Sequence, residues 1–185
     1  MAICATTLPA VHADICDDQV HFGPVDVVLF SRYGDNFTDS TDDAEWTTRI
    51  SNSTALPSPG TDAPVRYLFG IGSIGAAEST DTAISIGRTK ASDPKTSFVF
   101  AVDDTGTTNA TAFANRTQGT YAVWLLADGQ LYGGNTGIKA TLKFGSRLIP
   151  DSDTAIQTFE LTVSFNSALP APADGEFLYT LLGAE

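Results

Sequence analysis

Residues 119–148 read GTYAVWLLADGQLYGGNTGIKATLKFGSRL, and their reading decides the architecture. Tyr121 to Ala127 is apolar on both of its faces, which a strand sustains only when it is covered from both sides. Asp128-Gly129 is a strong two-residue hairpin signal, and Gln130-Leu131-Tyr132 opens the return strand. Gly133-Gly134-Asn135 interrupts that strand with a bulge or second turn before Ile138 resumes. From there Ile138, Ala140, Leu142 and Phe144 alternate with Lys139, Thr141 and Lys143. That period of two marks a strand with one buried and one wet face.

The same period recurs on both sides. Phe98, Phe100 and Val102 carry it within 96–102, and Phe159, Leu161, Val163 and Phe165 carry it against Glu160, Thr162 and Ser164. Val25–Phe30 (VDVVLF, after the Gly23-Pro24 turn), Val65–Phe69 (VRYLF) and Ala83–Gly87 (AISIG) are further strands. Asp42–Ile50 predicts a short helix with Asp42 as N-cap, Glu45 at capping-box spacing, and Ala44, Trp46 and Ile50 on its buried face. Thr107–Arg116 predicts one or two helical turns anchored by Phe113, although most of its residues are poor helix formers. Glu176–Leu182, after the prolines at 170 and 172, reads as a last short strand or helix.

Roughly eight or nine short strands, with no amphipathic helices between them, exclude a parallel α/β sheet. The expected class is all-β: a sandwich or partly closed barrel of two packed antiparallel sheets, with one or two short flanking helices. The expected divisions are an extended N-terminal arm at 1–22, the β-sandwich domain at 23–169 and a C-terminal extension at 170–185.

A chain of 185 residues, 42% hydrophobic, is long enough for one domain with its own core. Ten Lys and Arg against 22 Asp and Glu leave a formal charge of -12, a surface that repels DNA and anionic lipid. No apolar run approaches the about 20 residues that span a bilayer. The opening MAICATTLPAVHADIC has no basic start and is broken by Pro9, so no signal peptide is expected. Cys4 and Cys16, with His12 and His21, form no recognisable zinc spacing; free thiols are favoured over a disulfide pinning the arm.

Each nominal chemical motif lacks its context. Gly70, Gly72 and Gly75 form a GxGxxG after a strand, but AAESTDTAIS follows in place of the helix that would hold a pyrophosphate. The acids at Asp35/Asp39/Asp42/Asp43, Asp103/Asp104 and Asp151/Asp153 lack the order of a calcium loop and read as turns and caps. No GxSxG elbow is present, both histidines fall in the arm, and no carboxylate pair stands out for glycoside hydrolysis. The sequons at Asn36, Asn52, Asn109 and Asn115 are what a Thr- and Asn-rich chain produces by chance. Catalytic, metal and cofactor-binding residues are therefore expected to be none, and the chain is not expected to be an enzyme.

Three segments, AEWTTRIS at 44–51, AISIGRTKASDPKTSFVFAVDD at 83–104 and YAVWLLADGQLYGG through LTVSF at 121–165, together give a layout that resembles virion structural proteins of tailed bacteriophages. The resemblance is nearest to tail-tube (major tail) proteins, and it is one of layout, since no short signature defines them. It implies a sandwich or barrel whose rings stack into a tube, with the helix at 42–50 or at 107–116 as the flanking one. The arm and the loops around Asp35 and at 51–64 would join rings, and the acidic balance would line a lumen through which DNA slides without adhering. The implied partners are the chain itself and other virion proteins, with no specific nucleic-acid binding and no membrane, in a virion assembled in the host cytoplasm. Alternatives are a capsid-decoration, head-fibre or neck protein, and a carbohydrate-binding β-sandwich module using aromatics such as Tyr132 or Trp46. The segment expected to touch a neighbour is Leu131, Tyr132, Gly133, Gly134, Asn135, Thr136 and Gly137.

Overall fold

Six antiparallel strands close on themselves in a computed structural model that describes residues 23–51, 64–79, 81–85, 88–114, 118–149 and 156–183. They are β1 (Val25–Arg32), β2 (Arg66–Gly72), β5 (Thr96–Val102), β9 (Thr158–Phe165), β8 (Ile138–Leu148) and β6 (Gln118–Ala127), in that order around the barrel. Closure is made by β6 against β1, from Val27↔Leu126 to Arg32↔Tyr121. On its other edge β6 serves two partners in succession, β8 through residues 118–123 and β7 (Gln130–Tyr132) through 125–127. The expected all-β class stands, and of its two forms the chain takes the closed barrel. The arm at 1–22, with both cysteines and both histidines, and the acids at 151 and 153 lie outside the described residues.

A six-stranded barrel is too narrow for anything but side chains. Phe98 and Phe100 from β5, Val123 and Leu125 from β6, Leu142 from β8 and Leu161 and Val163 from β9 fill it. Gly70 and Gly72 make room for them, since a Cβ on Gly72 would come within 2.9 Å of the Phe100 ring. That packing accounts for these two glycines of the GxGxxG pattern. Among the described residues β3 rather than a helix follows it, and Glu78 bridges to Lys95. One end of the barrel is plugged by α2 (Thr107–Ala114), whose Phe113 stacks on Phe159 at 4.6 Å and meets Phe144 edge-on at 5.0 Å.

The outer faces of β1 and β6 carry Val27, Leu29, Trp124 and Leu126, which pack with Trp46 of α1 (Asp43–Ser51) and Leu178 of α3 (Glu176–Leu182). This second core is why Tyr121–Ala127 is apolar on both faces. Phe37 tilts over Trp46 at 4.2 Å, and the two indoles meet edge-on at 5.7 Å. Asp42 caps α1 through its side chain, accepting from the Ala44 N–H at 3.0 Å. Glu45 does not complete a capping box. Its carboxylate accepts from the backbone of Thr38 and Asp39, and lies 3.6 Å from the guanidinium of Arg49. The buried face of α1 also differs from expectation: Ala44 is exposed, whereas Arg49 is fully buried. Arg49 donates to the Asp35 carbonyl at 3.0 Å, and its guanidinium lies 3.9 Å from the Phe37 ring centre. A buried guanidinium is sustained by such carbonyl and aromatic contacts.

Two strands, β3 (Asp81–Ser85) and β4 (Arg88–Ala91), form a separate antiparallel pair beside the barrel. The short β10 (Ala173–Asp174) pairs with β7, and α3 follows it directly, so the last elements pack onto the barrel wall. There the Tyr179 hydroxyl donates to Asp26 at 2.8 Å. Burial, then that hydrogen bond, pushes the phenol up to about 12. No helix among the described residues is long and apolar enough to cross a membrane.

Candidate functional site

The turn after β6 and the loop after β7 set the geometry of the surface around them. Asp128 and Gly129 both adopt positive φ, 47° and 73°, as a two-residue hairpin of the type I′ kind requires. Beyond Tyr132 the chain turns through a single 3₁₀ turn, Gly134–Thr136, with positive φ at Gly133, Gly134 and Gly137. The Trp124 ring sets this path. A Cβ on Gly133 would lie 2.4 Å from Trp124 Cδ1, and one on Gly137 would lie 3.0 Å from its Cζ2. Trp124 Nε1 donates to the Gly134 carbonyl at 2.7 Å. Asn135 then clamps the β1–α1 loop, accepting from the Ser40 N–H at 2.8 Å and donating to the Thr38 carbonyl at 3.1 Å. Its own carbonyl accepts from the Phe37 N–H at 2.7 Å.

Within the segment expected to touch a neighbour, Leu131 and Gly133 are buried, while Tyr132, Gly134 and Gly137 are half-buried. Asn135 and Thr136 are exposed. Gly133, Thr136 and Gly137 also line an open groove of about 580 Å³. Its other described walls are Tyr33, Gly34 and Asn36 after β1, Ile138 and Lys139 at the start of β8, and Ser167, Ala168 and Pro170 after β9. A second hollow of about 400 Å³ shares Lys139 and Ser167 and is lined further by Thr120, Thr141, Ser164, Phe165 and Asn166. The two form one trough across the outer faces of β6, β8 and β9. In register, Ala122 lies between Ser31 and Lys139. The ammonium of Lys139 stands 4.8 Å from the Tyr33 ring centre.

Of the acids in the described clusters, Asp39 and Asp104 are engaged in local structure. Asp39 accepts from the Thr41 N–H and hydroxyl at 2.9 and 2.7 Å, and these bonds hold its carboxyl below the usual range. Asp104 accepts from the Gly106 N–H and the Asn109 amide at 2.9 and 3.0 Å. Among the described residues no group of three or more His, Cys, Asp or Glu is placed to hold a metal ion. Trp46 cannot serve as a sugar platform, because it is fully buried with its N–H on the Ser40 carbonyl. Tyr132 is half-buried and packs against the barrel core.

Three exposed aliphatics, Leu148, Ile149 and Ile156, stand at the far end of the β8–β9 hairpin, 49%, 72% and 70% accessible. Ile71 and Val99 are exposed on the barrel's outer face. The sequence reading missed the trough. Comparison with protein-family models, curated proteins and solved structures gave no match.

Proposed function

We propose that this chain is a structural subunit that assembles with copies of itself, and that the assembly is the tail tube of a bacteriophage, an acidic conduit for DNA. The observation that carries the reading is the exposed aliphatic end of the β8–β9 hairpin, where Leu148, Ile149 and Ile156 stand outside both packed cores. Scattered apolar side chains are ordinary on a surface, whereas several gathered at one hairpin end favour burial against another molecule. The side chains that fill the barrel leave recognition to the outer surface. Asn135 and Thr136, the exposed members of the 131–137 segment, are offered to a neighbouring subunit. The formal charge of -12 suits a lumen that passes DNA without binding it.

Electron microscopy of the concentrated protein tests this. Rings or stacked tubes support it, and Ile149→Asp with Ile156→Asp should return the chain to monomers without unfolding it, because both side chains are already in water. Assembly indifferent to that double substitution would remove the hairpin from the interface. A capsid-decorating or neck protein would instead associate only with preformed heads.

A further inference from the structure

The trough differs from the rest of this molecule in charge. The chain carries 22 acidic against 10 basic side chains, yet among the described residues lining the two hollows none is a carboxylate and the one charged group is Lys139. The floor is the outward face of strands whose backbone groups are already paired in the β6–β8 and β8–β9 ladders. An extended peptide finds no free strand edge there, so recognition falls to side chains. Those side chains are amides and hydroxyls, Asn36, Asn166, Ser167 and Thr141, beside the ring of Tyr33, which is 51% exposed. The hollows, about 580 and 400 Å³, fall within the range of small-ligand sites.

The geometry points to a binding site for an acidic saccharide, with a sugar carboxylate on the Lys139 ammonium. Ring hydroxyls meet the amides and hydroxyls along the trough, and Tyr33, whose ring faces the Lys139 ammonium at 4.8 Å, holds that ammonium over the trough. Lys139 supplies the charge-assisted contact that selects a uronic acid over a neutral sugar. The site shares Thr136 with the segment offered to a neighbouring subunit, but its test reads ligand binding and does not depend on assembly.

The test is titration of the full chain with trigalacturonic acid, followed by calorimetry and amide chemical shifts, beside its trimethyl ester and a hexaglutamate peptide. The acid should bind saturably and shift the amides of Asn36, Lys139 and Ser167. The ester should bind at least about tenfold more weakly, the scale of one hydrogen bond to a charged group. Lys139→Gln and Tyr33→Ala should each cost about tenfold, and Lys143→Gln, two residues along the same strand face, less than about twofold. Near-ultraviolet circular dichroism checks that each variant is folded. The proposal is overturned by no saturable binding up to about 10 mM, by equal affinity for the ester, or by an equal loss on Lys143→Gln. Equal binding of hexaglutamate also overturns it, and would make the trough a seat for acidic polypeptide, such as a second copy of this chain.

Discussion

Substituting Gly133 by alanine places a methyl group where the fold has no room for it. The residue sits at φ 143°, and the added Cβ would stand 2.4 Å from Trp124 Cδ1. The backbone conformation costs a side-chain-bearing residue about 1–3 kcal/mol. The overlap must be relieved by moving a fully buried indole that is hydrogen-bonded to Gly134 and packed edge-on against Phe37 and Trp46. Overpacking of that kind costs about 1–3 kcal/mol more, so the loss should be about 2–6 kcal/mol, centred near 4 kcal/mol. Gly134 provides the control, since its φ is 55° and nothing lies within 4 Å of an added Cβ. Gly134→Ala should cost only the left-handed backbone term, about 1 kcal/mol. For a chain of this size the difference separates the two melting temperatures by roughly 5–10 °C. Urea unfolding followed by tryptophan fluorescence reads it directly, because one of the two indoles is the group displaced. Equal losses in the two variants, or a loss below about 1 kcal/mol for Gly133→Ala, would refute the packing argument.

Phe113→Ala should cost about 3–5 kcal/mol and strip α2 from the barrel end before the barrel itself opens. Hydrogen exchange should then find the amides of 107–114 unprotected while those of β6, β8 and β9 keep their order of protection; retained protection in α2 would contradict it. Burial pushes the Tyr179 phenol up to about 12, so its neutral form favours the folded chain fully below pH 10 and that contribution is lost as the pH rises through about 12. Urea midpoints between pH 10 and 12 should fall less steeply in Tyr179→Phe than in the parent, and parallel curves would remove Tyr179 as the cause.

The strands of the barrel were legible because each keeps its period. Phe98–Val102, Ile138–Phe144 and Phe159–Phe165 turn the same alternating residues inward in the structure. The two-faced reading of Tyr121–Ala127 anticipated the second core, and Phe113 was recognisable as the anchor of a weak helix. Closure was not legible. It rests on β6 pairing with β1 across some ninety residues of chain, a register that no local pattern encodes. The strand Arg88–Ala91 was missed because RTKA has no apolar alternation. Arg49 was passed over because arginine on a surface helix is ordinarily wet, and its burial depends on Asp35 and Phe37 from another loop. The trough drew no notice because it is assembled from segments around residues 33, 120, 139 and 167, each unremarkable alone.

Sedimentation velocity of the parent chain over a wide concentration range, with micrographs of the fastest species, shows whether it self-assembles. Self-assembly predicts a concentration-dependent shift from monomer to rings or tubes of uniform diameter, abolished by Ile149→Asp with Ile156→Asp. A single monomeric boundary at every concentration, in the unsubstituted chain, would contradict it.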